Sequence, residues 1–288
     1  MHRCLEPEPH EVVAMNEAVS FCRSPRVGAG DLRAWQDVLM DSAVTPLTRM
    51  RVENQTESGC QGYATTANGQ ARLWYLSGHT QMLDLSARYA YQGSQYLMTP
   101  GEVGKDRGSS IHSGCRLQIQ GIPDLGMAPG QVLESDWPEA VWCRSSREFA
   151  ARCKTTDVVP GQVSEVRKPP ESFEDMLALT AAGACLHQGT FWGPSQQASK
   201  PDGKMLVARF PRSGGGHATA GVWGKKFDRI GWLLAVWNSH GYGHYWIDQA
   251  EYMRLQEINW QPFGAFVLQP PDVVERYNRI QQGGGYFA

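Results

Sequence analysis

The stretch Asn54-Gln55-Thr56-Glu57-Ser58-Gly59-Cys60, running on into QGYATTANGQARLWYLSG (residues 61–78), is where the reading of this chain begins. From Gly59 onward Cys60, Tyr63, Ala64, Ala67, Ala71 and Trp74 recur at helical spacing, so the pattern predicts a helix that buries one apolar side and ends near Gly78. A cysteine at the start of such a helix faces the first-turn N–H groups and the positive end of the helix dipole. That placement lowers a thiol pKa and favours the nucleophilic thiolate. The plain alternative is a small packing residue, and the rest of the chain has to decide between the two.

Downstream, the sequence predicts a helix from about Ser86 and another from Ser109, with Ile111, Cys115 and Ile119 inward and Gly121 ending it. Val158 to Pro170 holds three prolines and a glycine among charged residues and reads as a crossing between two halves. Ser172-Phe173-Glu174-Asp175 then opens a helix with Phe173, Met176, Leu177 and Thr180 on one face. Beyond it the period changes. Lys204 to Phe210, His217 to Trp223, Ile230 to Asn238 and Gly243 to Asp248 are β-branched or aromatic runs bounded by Gly, Ser and Asp, as expected of antiparallel strands. The first half is therefore expected to be helical and the second mostly sheet.

Three further positions suit a thiol nucleophile. His217, in Gly214-Gly215-Gly216-His217-Ala218, opens a strand after flexible backbone and can act as the base that shares the thiol proton. Asn238 ends the next strand and can hold that imidazole in one tautomer and orientation. Gln55 and the Cys60 backbone N–H can donate to an oxyanion formed in acyl transfer.

Composition narrows the function classes. The 288 residues carry 27 basic and 29 acidic side chains, so no chain-wide positive field exists to collect nucleic acid or anionic lipid. No apolar run reaches the roughly 18 to 20 residues a spanning helix needs, and the opening MHRCLEPEPHEVV carries acids and proline where a signal peptide is apolar. The expectation is a soluble protein made in the cytoplasm. Forty-eight Gly and Pro residues point to many turns and ordered loops. The seven cysteines are an odd number without CxxC spacing, which argues against a closed disulfide framework or a zinc knuckle. A bridge between Cys143 and Cys153 stays open. His240 and His244 lie in a turn and strand where a spacing of four does not put them on one face, so no metal is assigned, and no cofactor is expected. His112 and His187 read as structural side chains, and Trp223, Trp232, Trp237 and Trp246 as core.

Taken together, the chain resembles the papain-like cysteine peptidases. Val44-Thr45-Pro46 and Val52-Glu53-Asn54-Gln55 resemble that family's run into its oxyanion glutamine, and Ser58-Gly59-Cys60 before an aromatic-bearing helix resembles its nucleophile. Gly216-His217-Ala218 resembles the histidine motif, and Asn238-Ser239-His240-Gly241 the Asn-Ser-Trp-Gly motif, with Gly243-His244-Tyr245-Trp246-Ile247 as the closing strand. Asp106 to Gly126 with Trp137-Pro138 looks like a segment of bacterial and phage members. The resemblance covers about residues 44 to 270. It implies an α+β, two-lobed fold: a helical lobe over 44–157 carrying Cys60, a barrel-like antiparallel lobe over 158–270 carrying His217 and Asn238, and a cleft between. Residues 1–43 would be an arm and 271–288 a tail.

There are departures from the family pattern. Gln55 precedes Cys60 by five positions where the family usually shows six, Gln61 replaces the tryptophan after the nucleophile, and His240 replaces the one after the asparagine. The resemblance implies an endopeptidase acting on a peptide or protein substrate. Two alternatives stay open: a catalytically silent module that partners the structural proteins of a phage particle or other assembly, and an enzyme that cuts cell-wall cross-links.

Overall fold

The computed structural model describes residues 4–5, 33–160, 163, 165–193, 207–241, 243–258 and 260–269. The expected helix is present as α2 (Cys60–Leu76), following a short strand β1 (Cys4–Leu5) and a helix α1 (Arg33–Met40). One expectation fails at α2. Instead of burying one side, it buries fifteen of its seventeen residues, polar ones included. It is the central helix of the molecule, packed on two helices on one side and on a sheet on the other, so its polar side chains must find partners inside the protein.

Helix α3 (Ala87–Met98) starts where Ser86 accepts a hydrogen bond from the N–H of Tyr89. Helix α4 (Ile111–Gln120) follows a two-residue strand β2 (Ser109–Ser110), is capped by Ser110 and ends at Gly121, whose φ of 66° suits a residue without Cβ. Strand β3 (Gly130–Gln131) and helix α5 (Ser146–Cys153) complete the helical half, around a core of Tyr89, Leu117, Trp137 and Phe149. Strand β4 (Val159–Pro160) pairs with β3.

Strand β5 (Glu165–Arg167) leads to helix α6 (Phe173–Ala181), where Ser172 accepts from the N–H of Asp175 and Phe173, Met176, Leu177 and Thr180 are buried. Then come β6 (Cys185–Phe191), β7 (Gly216–Phe227), β8 (Gly231–Asn238), β9 (Gly243–Ile247), helices α7 (Gln249–Ile258) and α8 (Trp260–Phe263), and β10 (Ala265–Gln269). The sheet order is β5-β10-β6-β7-β8-β9, every pair antiparallel. Its edges are β5 and β9, and among the described residues no ladder joins them into a barrel. Of the expected strand Lys204 to Phe210, Lys204, Met205 and Leu206 lie outside the described residues, while Val207 makes one parallel bridge to Trp246. Strands β6 and β10 and helices α5 and α7 were not anticipated.

The sheet's core holds Trp223, Trp237 and Trp246, with Trp232 packed at its margin. Trp35 and Leu39 of α1 belong to that same core, although α1 falls within the stretch read as an arm. The suggested bridge between Cys143 and Cys153 is not formed, and both thiols are unbridged. Among the described residues no helix is long and apolar enough to cross a membrane.

Candidate active site

Cys60 is the first residue of α2, and none of its surface is exposed. The loop before it is pinned at several points. The N–H of Ser58 donates to Asp106 Oδ1 (2.7 Å), and Glu57 pairs with Arg88 (3.1 Å).

Gln61 shows how the chain does without an aromatic ring after Cys60. Its Nε2 donates to Thr65 Oγ1 (2.7 Å) and its Oε1 accepts from Ser109 Oγ (2.9 Å), tying α2 to β2. The room for that amide comes from Gly114 on α4, where a Cβ would stand 1.6 Å from Gln61 Nε2. Gly114→Ala is therefore expected to expel a buried, bonded amide and cost about 1–3 kcal/mol. Urea unfolding measures it. In a Gln61→Ala background, where only Thr65 Oγ1 at 2.9 Å still crowds the new Cβ, the cost should shrink.

His217 stands at the start of β7. The β7–β8 register pairs Ala220 with Trp237, and continuing it one step sets Asn238 opposite Thr219, diagonal to His217 on the same face. The diagonal is closed by a hydrogen bond of 2.9 Å between His217 Nε2 and Asn238 Oδ1. With the amide oxygen as acceptor, the ring proton sits on Nε2, and Nδ1 is the nitrogen that proton exchange with a thiol would use. Cys60 belongs to one buried cluster with Ala218, the next residue of β7, whose N–H draws the thiol pKa down.

Gln55 is held against the turn that carries Asn238. Its N–H donates to the Ser239 carbonyl (2.8 Å), its Oε1 accepts from Ser239 Oγ, and its Nε2 donates to Glu57 O (2.8 Å). One residue further along, Asn54 bridges His240 and the Glu53 carbonyl accepts from the N–H of Gly241 (2.8 Å). Of the four residues singled out in the sequence, the structure bonds His217 to Asn238, fastens Gln55 to Ser239 next to Asn238, and buries Cys60 in one cluster with Ala218, the residue after His217.

Two rings wall the His217–Asn238 bond. Trp192, just past β6, has its centroid 4.2 Å from His217 and 4.1 Å from His240, and the His240 ring stacks on His217 at 4.8 Å. Trp192 was not singled out beforehand. It follows a strand the sequence reading missed, and its signal, an aromatic beside Gly193, is weak. His244 instead stacks on Trp237, and His112 packs edge-on to Phe266. Burial takes the pKa of His112 down to about 4, as suits a neutral structural ring. Among the described residues no group of three or more His, Cys, Asp or Glu is placed to hold a metal.

The expected low thiol pKa is not what this arrangement gives. Burial pushes the Cys60 thiol up to about 12, against the opposing pull of the N–H groups of Ala218, Gln61 and Cys60 itself. The helix start does act on the sulfur, but removing the site from water outweighs it.

Glu53 shows the same contest. Burial lifts its carboxyl to about 7 although Arg51 pulls it down, and Glu139, Asp84 and Glu134 add repulsion. A carboxyl with a folded pKa above its unfolded value holds its proton more tightly when folded. Stability is then greatest below about pH 4.5, falls as the pH climbs to about 7, and levels off above. Each unit is worth about 1.4 kcal/mol, and solvent screening trims the total to roughly 1–2 kcal/mol. Glu53→Gln should stabilise the chain by that amount at pH 8 and little at pH 4.5, as urea midpoints at the two pH values would show.

No protein-family model matches the sequence, and no curated protein matches it. Solved structures do match. The cysteine protease and lectin-like domains of Cwp84, a surface layer associated protein of Clostridium difficile, superpose with a TM-score of 0.54 at 16% identity, over 79% of this chain and 52% of that one. Xylellain, a cysteine protease from Xylella fastidiosa, gives 0.51 at 16% identity, over 93% and 91% of the two chains. Procathepsin B S9 from Trypanosoma congolense gives 0.54 at 14%, over 94% and 82%. The fold is that of the papain-like cysteine proteases. At these identities the likeness is one of architecture, and the chain spans only about half the length of the Cwp84 chain it matches. In this chain α2 starts at Cys60, and the β7–β8 ladder carries His217 and Asn238.

Proposed function

We propose that the chain is a cysteine-type endopeptidase that hydrolyses peptide bonds through Cys60, His217, Asn238 and Gln55. The observation that carries this reading is the imidazole of His217 held by Asn238 at 2.9 Å, with Cys60 buried in one cluster with Ala218, the residue that follows it.

In the reaction, His217 Nδ1 takes the thiol proton, and the sulfur attacks the substrate carbonyl. The oxyanion accepts hydrogen bonds from the Cys60 N–H and the Gln55 amide, which Ser239 and Glu57 hold in place. His217 then passes the proton to the leaving amine, and water, deprotonated by the same ring, releases the acyl group. Trp192 and His240 keep water from the His217–Asn238 bond, where a dry environment strengthens orientation. An epoxide that alkylates thiolates should form one adduct, on Cys60, and none on Cys60→Ala; labelling that persists in the variant counts against the assignment.

The chain is, in this reading, self-covered. Cys4 and Leu5 pair with Ser109 and Ser110 in the parallel sense, and the same two residues lie against β7. An extended substrate adds to an exposed strand edge, and β2, bonded through Ser109 to Gln61, offers such an edge when β1 is absent. With β1 on it, a substrate is kept off. A buried thiol pushed up to about 12 also favours a second reading, a papain-like module that does no chemistry and serves as a component of an assembly. Epoxide labelling of a chain lacking β1 separates the two, since the silent module stays unlabelled.

A further inference from the structure

Twelve residues along α2 from Cys60, about 18 Å at the rise of an α-helix, three elements each bring two polar side chains to one buried place. Asn68 and Arg72 lie one turn apart on α2, Cys115 and Gln118 one turn apart on α4, and Cys185 and His187 on one face of β6. Every one of the six is 2% exposed or less.

The contacts tie the six together. Arg72 Nη2 donates to Gln118 Oε1, Asn68 Nδ2 lies 2.7 Å from His187 Nδ1, and the Cys185 thiol donates to the Asn68 carbonyl (3.8 Å). The charge of Arg72 reaches Cys185, Cys115 and His187.

What the cluster lacks is an acceptor. Among the described residues no carboxylate pairs with Arg72, and its Nε and Nη1 have no hydrogen-bond partner; neither has Gln118 Nε2. His187 accepts from Asn68 at Nδ1, so its proton is on Nε2, a fourth donor group with nothing to receive it. Asn68 Oδ1 is the one unmatched acceptor of the cluster. A buried guanidinium with only neutral neighbours is among the costliest arrangements in a protein interior. Losing the proton is no escape, since burial lowers its pKa only to about 10.

We propose that this place between α2, α4 and β6 is a binding site for a small monovalent anion of halide size, chloride in solution, held by Arg72, Gln118 and His187. A sphere of single negative charge supplies the missing counter-charge and accepts N–H groups from any direction, which suits donors converging from three elements. The ion would fasten the nucleophile's helix to both halves of the fold.

The test uses the full chain at constant ionic strength, with gluconate exchanged for chloride or bromide. The expected result is a melting temperature that climbs with the logarithm of halide concentration, and an anomalous bromide peak in crystals between Arg72, Gln118 and His187. Arg72→Met should lose the halide dependence. Gln118→Leu, which keeps the charge, should need several-fold more halide for the same shift, and it carries the test if the first variant does not fold. Halide-independent melting of the wild type without a bromide peak overturns the proposal. So does a dependence that both variants retain, or a thiolate absorbance removed by Cys115→Ser or Cys185→Ser, since a thiolate would then be the counter-charge. None of these readouts needs peptidase activity.

Discussion

Replacing Cys60 by alanine is expected to lower kcat for peptide cleavage by a factor on the order of 10⁴ or more while leaving the fold intact. The loss is large because, in the proposed reaction, the sulfur forms and breaks the covalent bond to the acyl group. The fold should survive because Cys60 packs among Ala64, Ile111 and Ala218, where trading a thiol for a methyl costs about 1 kcal/mol. His217→Ala should fall nearly as far and add little in the double variant, since nucleophile and base act as one unit. Steady-state kinetics with circular dichroism on each variant makes the check. Retained turnover in Cys60→Ala would move the chemistry elsewhere.

The second large effect should come from residues 1–8. Deleting residues 1–8 removes β1 from the edge of β2 while sparing α1, whose Trp35 and Leu39 are core residues. Epoxide labelling of Cys60 and turnover are both expected to rise at least about tenfold, the factor that corresponds to about 1.4 kcal/mol of closing free energy. The pH dependence should change with it. With β1 in place the thiol stays protonated through neutral pH, because its pKa of about 12 is set by burial. Once water and the His217 ring share the site, labelling should extend to lower pH. Equal labelling rates with and without residues 1–8 across that range would remove β1 from any role in covering the site.

The positions proposed to carry the chemistry could be picked out because each needs a residue type in a recognisable local setting. Cys60 needs a helix start, His217 a strand after glycines, Asn238 a strand end, and Gln55 a loop leading into the helix. Strand β6 was not legible: Cys185–Phe191 is buried on both faces except at its end and shows no alternation, so a period-two pattern has nothing to register. Trp192 was lost with it. The environment of α2 was misjudged for a related reason. Its apolar positions do form a stripe, but Gln61, Asn68 and Arg72 between them bond to Ser109, His187 and Gln118, which lie far off in the chain, while Thr65 and Thr66 bond within the helix.

The helix that begins at Cys60, the serine caps of α3, α4 and α6, and the strands β7, β8 and β9 are local properties, written in spacing, capping and turn residues, and the sequence alone determines them. Whether Cys60 is a thiolate or a thiol, which ring shields His217, and what balances Arg72 depend on desolvation and on charges brought near from distant segments. Those quantities exist only once the chain has closed around them, so the tertiary structure alone decides them.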